Sequence, residues 1–296
     1  MHDMAGETDL RSLGVAQEDE AALDGPAVAG EPAPAEAHIL AVLDHEGAVG
    51  DGLADPHTGL GSQPVVVDAH VVSAAVAGRL RGARRLRLLA SGRGAVHLDL
   101  DGFVVTLTGP GVPWMPNGVA VPSLPARPAV AWRAAAPPLW DPVVAPLAGG
   151  RPAVLALASW LAGRVPAPDV ALEGAAPRLI GRGRGLTPEG DDILAGMAIG
   201  LRALGAPAGI PGERVSALAR ALCPPDLRRL TGALSATLLE LAVEGAAPEP
   251  VHRLLGMGDR AAALADLRRL GASTGGAIAA GIACAAEYVV IATASG

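Results

Sequence analysis

The sequence predicts an α+β fold: a β-containing N-terminal part followed by a mainly α-helical C-terminal bundle. Three observations lead there. RLRLLAS, AVHLDL and FVVTLTG, between residues 85 and 109, alternate or run apolar at strand length, with Asp101-Gly102 as a two-residue hairpin between the last two. From about residue 151 the apolar residues recur at helical spacing. Residues 1–36 contain nine acids against one base, Arg11, and show no period. The expected organisation is a disordered acidic tail over 1–36, a β-containing part over 37–147 and a helical part over 148–296. There is no internal repeat.

Within 37–147, VVDAHVVSAAVAGRLRG reads as a short helix, and GVAVPS as one more short strand after the hairpin. Residues 109–146 are dense in Pro, Gly and Trp, which suits an irregular packed connection. In the helical part, Pro152 sits at a first helical position before AVLALASWLAG. Thr187 then reads as an N-cap and Pro188 as the first residue of a helix that Gly205 ends. Leu227, Leu230, Leu234, Leu238 and Leu241 form one apolar stripe closed by Gly245. Two more helices are expected at about 248–255 and 259–270, and a last one after Ser273-Thr274.

Composition removes several functions. Half of the 296 residues are hydrophobic, enough for a sizeable core. The net charge of −7 comes from the tail; the remainder holds 21 acids and 22 bases and is nearly neutral. The one basic run, RLRGARRLR, reads as an arginine-lined helix edge, and six aromatic residues are too few for a base-stacking surface. No nucleic-acid partner is expected. All 23 basic residues are arginine. A Walker-type phosphate loop, a Schiff base and pyridoxal chemistry each need a lysine and are excluded. Cys223 and Cys284 are isolated and read as buried thiols, consistent with a reduced cytoplasm. The start lacks a signal-peptide pattern. The apolar stretch at 153–162 is too short to span a bilayer, and the one at 277–294 is alanine-rich and interrupted by Glu287, so no membrane segment is expected.

The chemistry concentrates in IGRGRGLTPEGDDILAGMAI, residues 180–199. Gly181, Gly183 and Gly185 free the backbone to turn N–H groups toward a ligand. Arg182 and Arg184 add planar forks suited to phosphate or carboxylate. With Thr187 at the start of a helix, this is an anion cradle. Asp191 and Asp192, adjacent and so about 100° apart on the helix, would repel the anion unless a cation lies between. Mg²⁺ suits that position. The competing account is a structural turn, with acids complementing the helix dipole and pairing with the loop arginines. Gly196 and Gly200 inside this helix match Ala277, Gly281 and Ala285 in the last one, at four-residue spacing. Two such helices can pack closely and bring their N-termini together. Ser273, Thr274, Gly275 and Gly276 would then form a second wall. Asn117, in the turn MPNG, is a further lining candidate. Of seven scattered histidines only His70 merits attention, and no zinc or serine-hydrolase motif is present.

GRGRGLTPEGDDILAGM resembles the signature of the AllH family, a Gly-rich loop followed by L-T-P-S-G-D-D-x-L-x-G, with Glu189 here where Ser is usual. HVVSAAVAGRL, PGVPWMPNGVAVP, SATLLELAVEGAAPEPVHRLLG and GASTGGAIAAG resemble other parts of the family, over about 65–290. In the last of these, Ala272 and Ala277 stand where relatives often carry a His and an acid. The resemblance implies a subunit of oxamate carbamoyltransferase, working with partner subunits in allantoin and purine breakdown. That reaction converts oxalurate and phosphate into oxamate and carbamoyl phosphate. The expected protein is thus a cytoplasmic carbamoyltransferase subunit binding a small anion, with Asp191 and Asp192 catalytic or holding Mg²⁺ and no organic cofactor. The alternatives are a non-catalytic anion-binding or structural subunit, and an independent Mg²⁺-dependent phosphotransferase.

Overall fold

The structure, a computed structural model, describes residues 38–39, 67–80, 87–124, 138–256 and 258–294. The acidic tail and most of RLRGARRLR lie outside the described residues. The fold is α+β, as the residue patterns predict. Strands β1 (His38–Ile39) and β2 (Val67–Asp68) form a small antiparallel ribbon. There follow β3 (Val71–Ser73), helix α1 (Ala74–Ala77), β4 (Arg87–Ser91), β5 (Ala95–Leu100), β6 (Phe103–Thr108), β7 (Gly118–Ala120) and β8 (Leu139–Trp140). Strands β3 to β8 make a six-stranded mixed sheet in the order β4-β5-β6-β7-β3-β8. The short helix expected over 66–82 is divided between strand and helix: Val67–Asp68 lies in β2, and Val71 and Val72 of β3 pair with Ala120 and Val119 of β7. Only α1 is helical there; β-branched side chains fit a pleated surface better than a helix.

The hairpin forms as expected. Asp101 (φ 53°) and Gly102 (φ 88°) both adopt the positive φ of a type I′ turn. The pleat then sorts side chains by face. Val96, Leu98, Leu100, Phe103, Val105 and Leu107 bury into one core with Val72, Val76 and Val119. The intervening residues, including His97, Thr106 and Thr108, face the other way, toward the helices.

The helices are α2 (Gly150–Ala162), α3 (Ala176–Leu179), α4 (Glu189–Leu204), α5 (Gly212–Ala221), α6 (Leu227–Leu230), α7 (Ala233–Val243), α8 (Glu249–Leu255), α9 (Arg260–Arg268) and α10 (Thr274–Ala294). Pro152 is the third residue of α2, not the first, but still in the turn where its missing N–H costs nothing. The leucine stripe is two helices. Thr231 is extended (φ −144°, ψ 173°) and breaks it, while its hydroxyl donates to Asp191 Oδ2. Helices α3 and α5 have no counterpart in the sequence reading; α3 is one turn, and α5 buries only Val215 and Ala219.

α4 and α10 lie side by side, parallel, and almost in backbone contact. A Cβ on Gly200 would sit 2.6 Å from Ala285 Cβ. One on Gly196 would strike the Ile278 carbonyl, and one on Gly281 would strike the Ile193 carbonyl and sit 2.7 Å from Met197 N. The expected small-residue seam therefore exists. By length and composition α10 is apolar enough to cross a bilayer, yet 56 % of its most apolar window is buried within the protein. Among the contacts that tie the sheet and its loops to the bundle, Val104 N–H donates to Thr237 Oγ1 (3.0 Å), Glu249 N–H to the Trp114 carbonyl (2.9 Å), and Arg228 to the Gly102 carbonyl. Cys284 is buried and Cys223 half-buried; both are free, and burial raises both thiols, Cys284 to about 11.

Candidate functional site

The Gly-rich loop has the conformation its glycines allow, with φ of 70° at Gly181, 124° at Gly183 and 97° at Gly185. Two of the three serve packing. Gly181 N–H donates to Asp191 Oδ1 at 2.8 Å, and a Cβ there would lie 2.7 Å from the Leu230 carbonyl oxygen. A Cβ on Gly183 would lie 2.5 Å from Glu189 N. Gly190 N–H in turn donates to the Arg182 carbonyl at 2.8 Å. The loop thus folds back onto the first turn of α4. Only Gly185 has open space around it.

Helix α4 begins at Glu189, with Pro188 as its cap residue. Thr187 is not a side-chain N-cap: its hydroxyl shares a hydrogen bond with the Thr274 hydroxyl, Oγ1 to Oγ1 2.9 Å. That bond joins the start of α4 to the start of α10. The two N-termini converge, as the matched glycines predict.

The two aspartates then part company. Both are buried, so neither faces solvent. Asp191 accepts from Gly181 N–H and from the Thr231 hydroxyl, clamping the loop to the α6–α7 break. Asp191→Ala would orphan two donors, and the expected loss of unfolding free energy is about 2–4 kcal/mol. Thr231→Val, which removes one, should cost about half as much. Urea unfolding of the two variants checks this; equal costs would mean that Asp191 is not the clamp.

Asp192 is 3 % exposed, and its Oδ2 is buried with no hydrogen-bond partner. Burial raises its pKa to about 7. The charges of Asp191 and Glu189 push the same way, and the nearby Thr274 and Thr187 hydroxyls oppose them. Since each hydroxyl has one hydrogen and the two threonines share one bond, the other hydrogen is available to the carboxyl. A carboxyl that changes charge near neutrality is matched to proton transfer.

In front of this pair opens a cavity of about 980 Å³. Its helix wall carries Arg184, Gly185, Thr187, Ser273 and Thr274. Its sheet wall carries His97, Thr106 and Thr108, and Trp114, Leu234 and Leu238 close an apolar side. At the rim, Arg253 is held by Glu249 (2.7 Å) and Asp266 (2.6 Å), and Asp266 also meets Arg269.

Of the residues singled out in the sequence, Arg184, Gly185, Thr187, Ser273 and Thr274 line this cavity together, with Asp192 directly behind the threonines. Gly181, Arg182, Gly183 and Asp191 build the loop and do not line it. Gly275 packs against the Leu267 carbonyl; Gly276 is not in the wall. Asn117 is fully buried behind the sheet wall, its Nδ2 donating to the Val104 carbonyl and to Thr106 Oγ1, both 2.9 Å. His70 is exposed and not in the cavity wall, whereas His97, which the sequence reading passed over, is. Strand alternation was the available signal: His97 falls between Val96 and Leu98, on the opposite face. Among the described residues no three His, Cys, Asp or Glu side chains converge as metal ligands would.

Fold and cavity define an α+β protein with a cleft, part polar and part apolar, between a mixed sheet and two paired helix N-termini. Residues 179–286 match the family model described as oxamate carbamoyltransferase subunit AllH. The match runs from the end of α3 into α10 and includes the Gly-rich/TPEGDD segment; the sheet lies outside it. No curated protein and no solved structure matches the chain.

Proposed function

We propose that this chain is a subunit of a carbamoyltransferase acting on a ureido acid such as oxalurate, in nitrogen recovery from allantoin and purines, and that the cleft holds the reacting groups. One observation carries this: the segment matching the AllH family supplies the helix wall of the cleft and the buried carboxyl behind it. In this reading Arg184, which lines the cleft, holds the phosphate. A phosphate oxygen attacks the ureido carbonyl, the bond to the oxamate nitrogen breaks, and that nitrogen takes up the proton the phosphate gives up. The Thr187–Thr274 hydroxyl pair and Asp192 form a path for that proton, and a pKa near 7 lets Asp192 both accept and return it. A Mg²⁺ ion shared by Asp191 and Asp192 would have to fit beside the Gly181 N–H and the Thr231 hydroxyl that Asp191 already accepts; proton carriage needs no added group there. The second reading, a non-catalytic subunit whose cleft only binds an anion, leaves Asp192 without a chemical role. Partner subunits are part of the proposal, as is a cytoplasmic setting.

Isothermal titration of the purified chain with carbamoyl phosphate, with and without Mg²⁺, tests it. Binding by the wild type is expected, weakened about 10–100-fold in Arg184→Gln, the size of a lost charge-assisted hydrogen bond. Strict Mg²⁺ dependence would restore the metal reading of the aspartates. No binding under either condition would move the chemistry to a partner subunit.

A further inference from the structure

The sheet wall of the cleft carries polar groups that the proton path does not use. His97 on β5 stands opposite Thr106 on β6, and its Nδ1 lies 3.0 Å from Thr106 Oγ1. Thr106 is buried, and its oxygen already accepts from Asn117 Nδ2. The identity of that Asn117 atom is set by its second contact, because the Val104 carbonyl can only accept. Thr106 therefore has one hydrogen left and one further partner, His97 Nδ1. Donating that hydrogen makes Nδ1 an acceptor and puts the ring proton on Nε2. Burial lowers the His97 pKa, so the ring is neutral near pH 7. Diagonally across the same face, about 7–8 Å along the pair of strands, Thr108 Oγ1 is buried with no partner.

We infer that His97, locked as the Nε2–H tautomer by the Asn117–Thr106 relay, and Thr108 form a subsite that hydrogen-bonds the carbonyl or carboxamide half of the ligand, distinct from the phosphate end at Arg184. This rests on the carbamoyl-transfer reading of the cleft and extends it. Asn117 is then a positioning residue, not a ligand contact. The lock gives the donor a fixed direction at no cost in ring reorientation, which is how a neutral imidazole serves as a polarising donor.

Two measurements on the full chain test it. Nitrogen-15 NMR of the histidine rings, with His97 assigned by loss of its signals in His97→Gln, should show the Nε2–H form near pH 7. Thr106→Val should release it to a mixture of tautomers. The opposite tautomer in the wild type would overturn the lock. Titration with oxamate and, separately, inorganic phosphate gives the second readout. His97→Ala should weaken oxamate by about tenfold, leave phosphate within about twofold, and be partly rescued in His97→Gln, which keeps an N–H donor. If both probes bind the wild type and His97→Ala changes neither, the subsite is wrong while the cleft reading stands. If neither probe binds the wild type, the carbamoyl-transfer reading fails and the subsite falls with it.

Discussion

Replacing Gly281 by alanine is expected to lower the unfolding free energy by about 1–3 kcal/mol, although the same change in an ordinary exposed helix would raise it by about 1 kcal/mol. The two effects have opposite sign, so the sign alone decides. Intrinsic propensity favours alanine because glycine loses more backbone entropy on becoming helical. Packing opposes it because the new methyl would meet the Ile193 carbonyl and the Met197 amide nitrogen, and both are backbone atoms. A side chain in the way can change rotamer; two helix backbones can only move apart. Separation would also pull the Thr187 hydroxyl from the Thr274 hydroxyl, and the cleft would lose its helix wall along with stability. Gly276→Ala is the control: it lies in the first turn of the same helix with nothing within 4 Å of the place its methyl would take, and it should be neutral or slightly stabilising. Urea unfolding of the two variants beside the wild type checks this. A stabilised Gly281→Ala variant would mean that α4 and α10 are not in close contact.

Asp192→Asn should make the protein more stable at pH 8 and far less active, two changes that simple damage would not combine. The folded-state pKa of Asp192 is raised, from 3.8 to about 7. The fold therefore favours the protonated carboxyl. Its stabilising effect is complete below about pH 4 and is lost as pH rises through about 7. Across that window the wild type should lose up to about 4 kcal/mol from this group alone. Asparagine is neutral throughout, so the variant's stability should be flat over the same window. Carbamoyl transfer, assayed with partner subunits, should fall by about 10²–10⁴, the usual contribution of a positioned acid–base group. Any remaining activity should lose the pH dependence that Asp192 imposes. Activity within about threefold of the wild type would remove Asp192 from the proton path. An unchanged pH profile of stability would show that the carboxyl is not held protonated by the fold.

The helix wall of the cleft was legible in the residues because its signals are local or repeat. Gly196, Gly200 and Gly281 each cost helix propensity, and three such costs at four-residue spacing in two helices point to one seam. A close seam brings N-termini together, so the meeting of the two helix starts was legible, whereas the Thr187–Thr274 bond was not: Thr187 reads locally as an N-cap. The hairpin at Asp101-Gly102 was equally plain, since few dipeptides accept two positive φ values.

What chain-local signals could not reach was the assignment of partners. Asp191 and Asp192 are adjacent and chemically identical, yet one clamps a loop and the other keeps an oxygen unpartnered. The difference arises from Thr231, forty residues on, whose place beside Asp191 depends on where α6 stops and α7 starts. His97 became a cleft residue only through the β5–β6 register that sets it against Thr106, and Asn117 a support only because it sits beneath them. Propensity, spacing and glycine economy are properties of a short stretch, so the chain by itself determined the α+β division, the hairpin and the paired helices. Burial, hydrogen-bond partners and pKa arise from groups distant in the chain meeting in space, so only the tertiary structure decided which carboxyl carries a proton and which histidine faces the cleft.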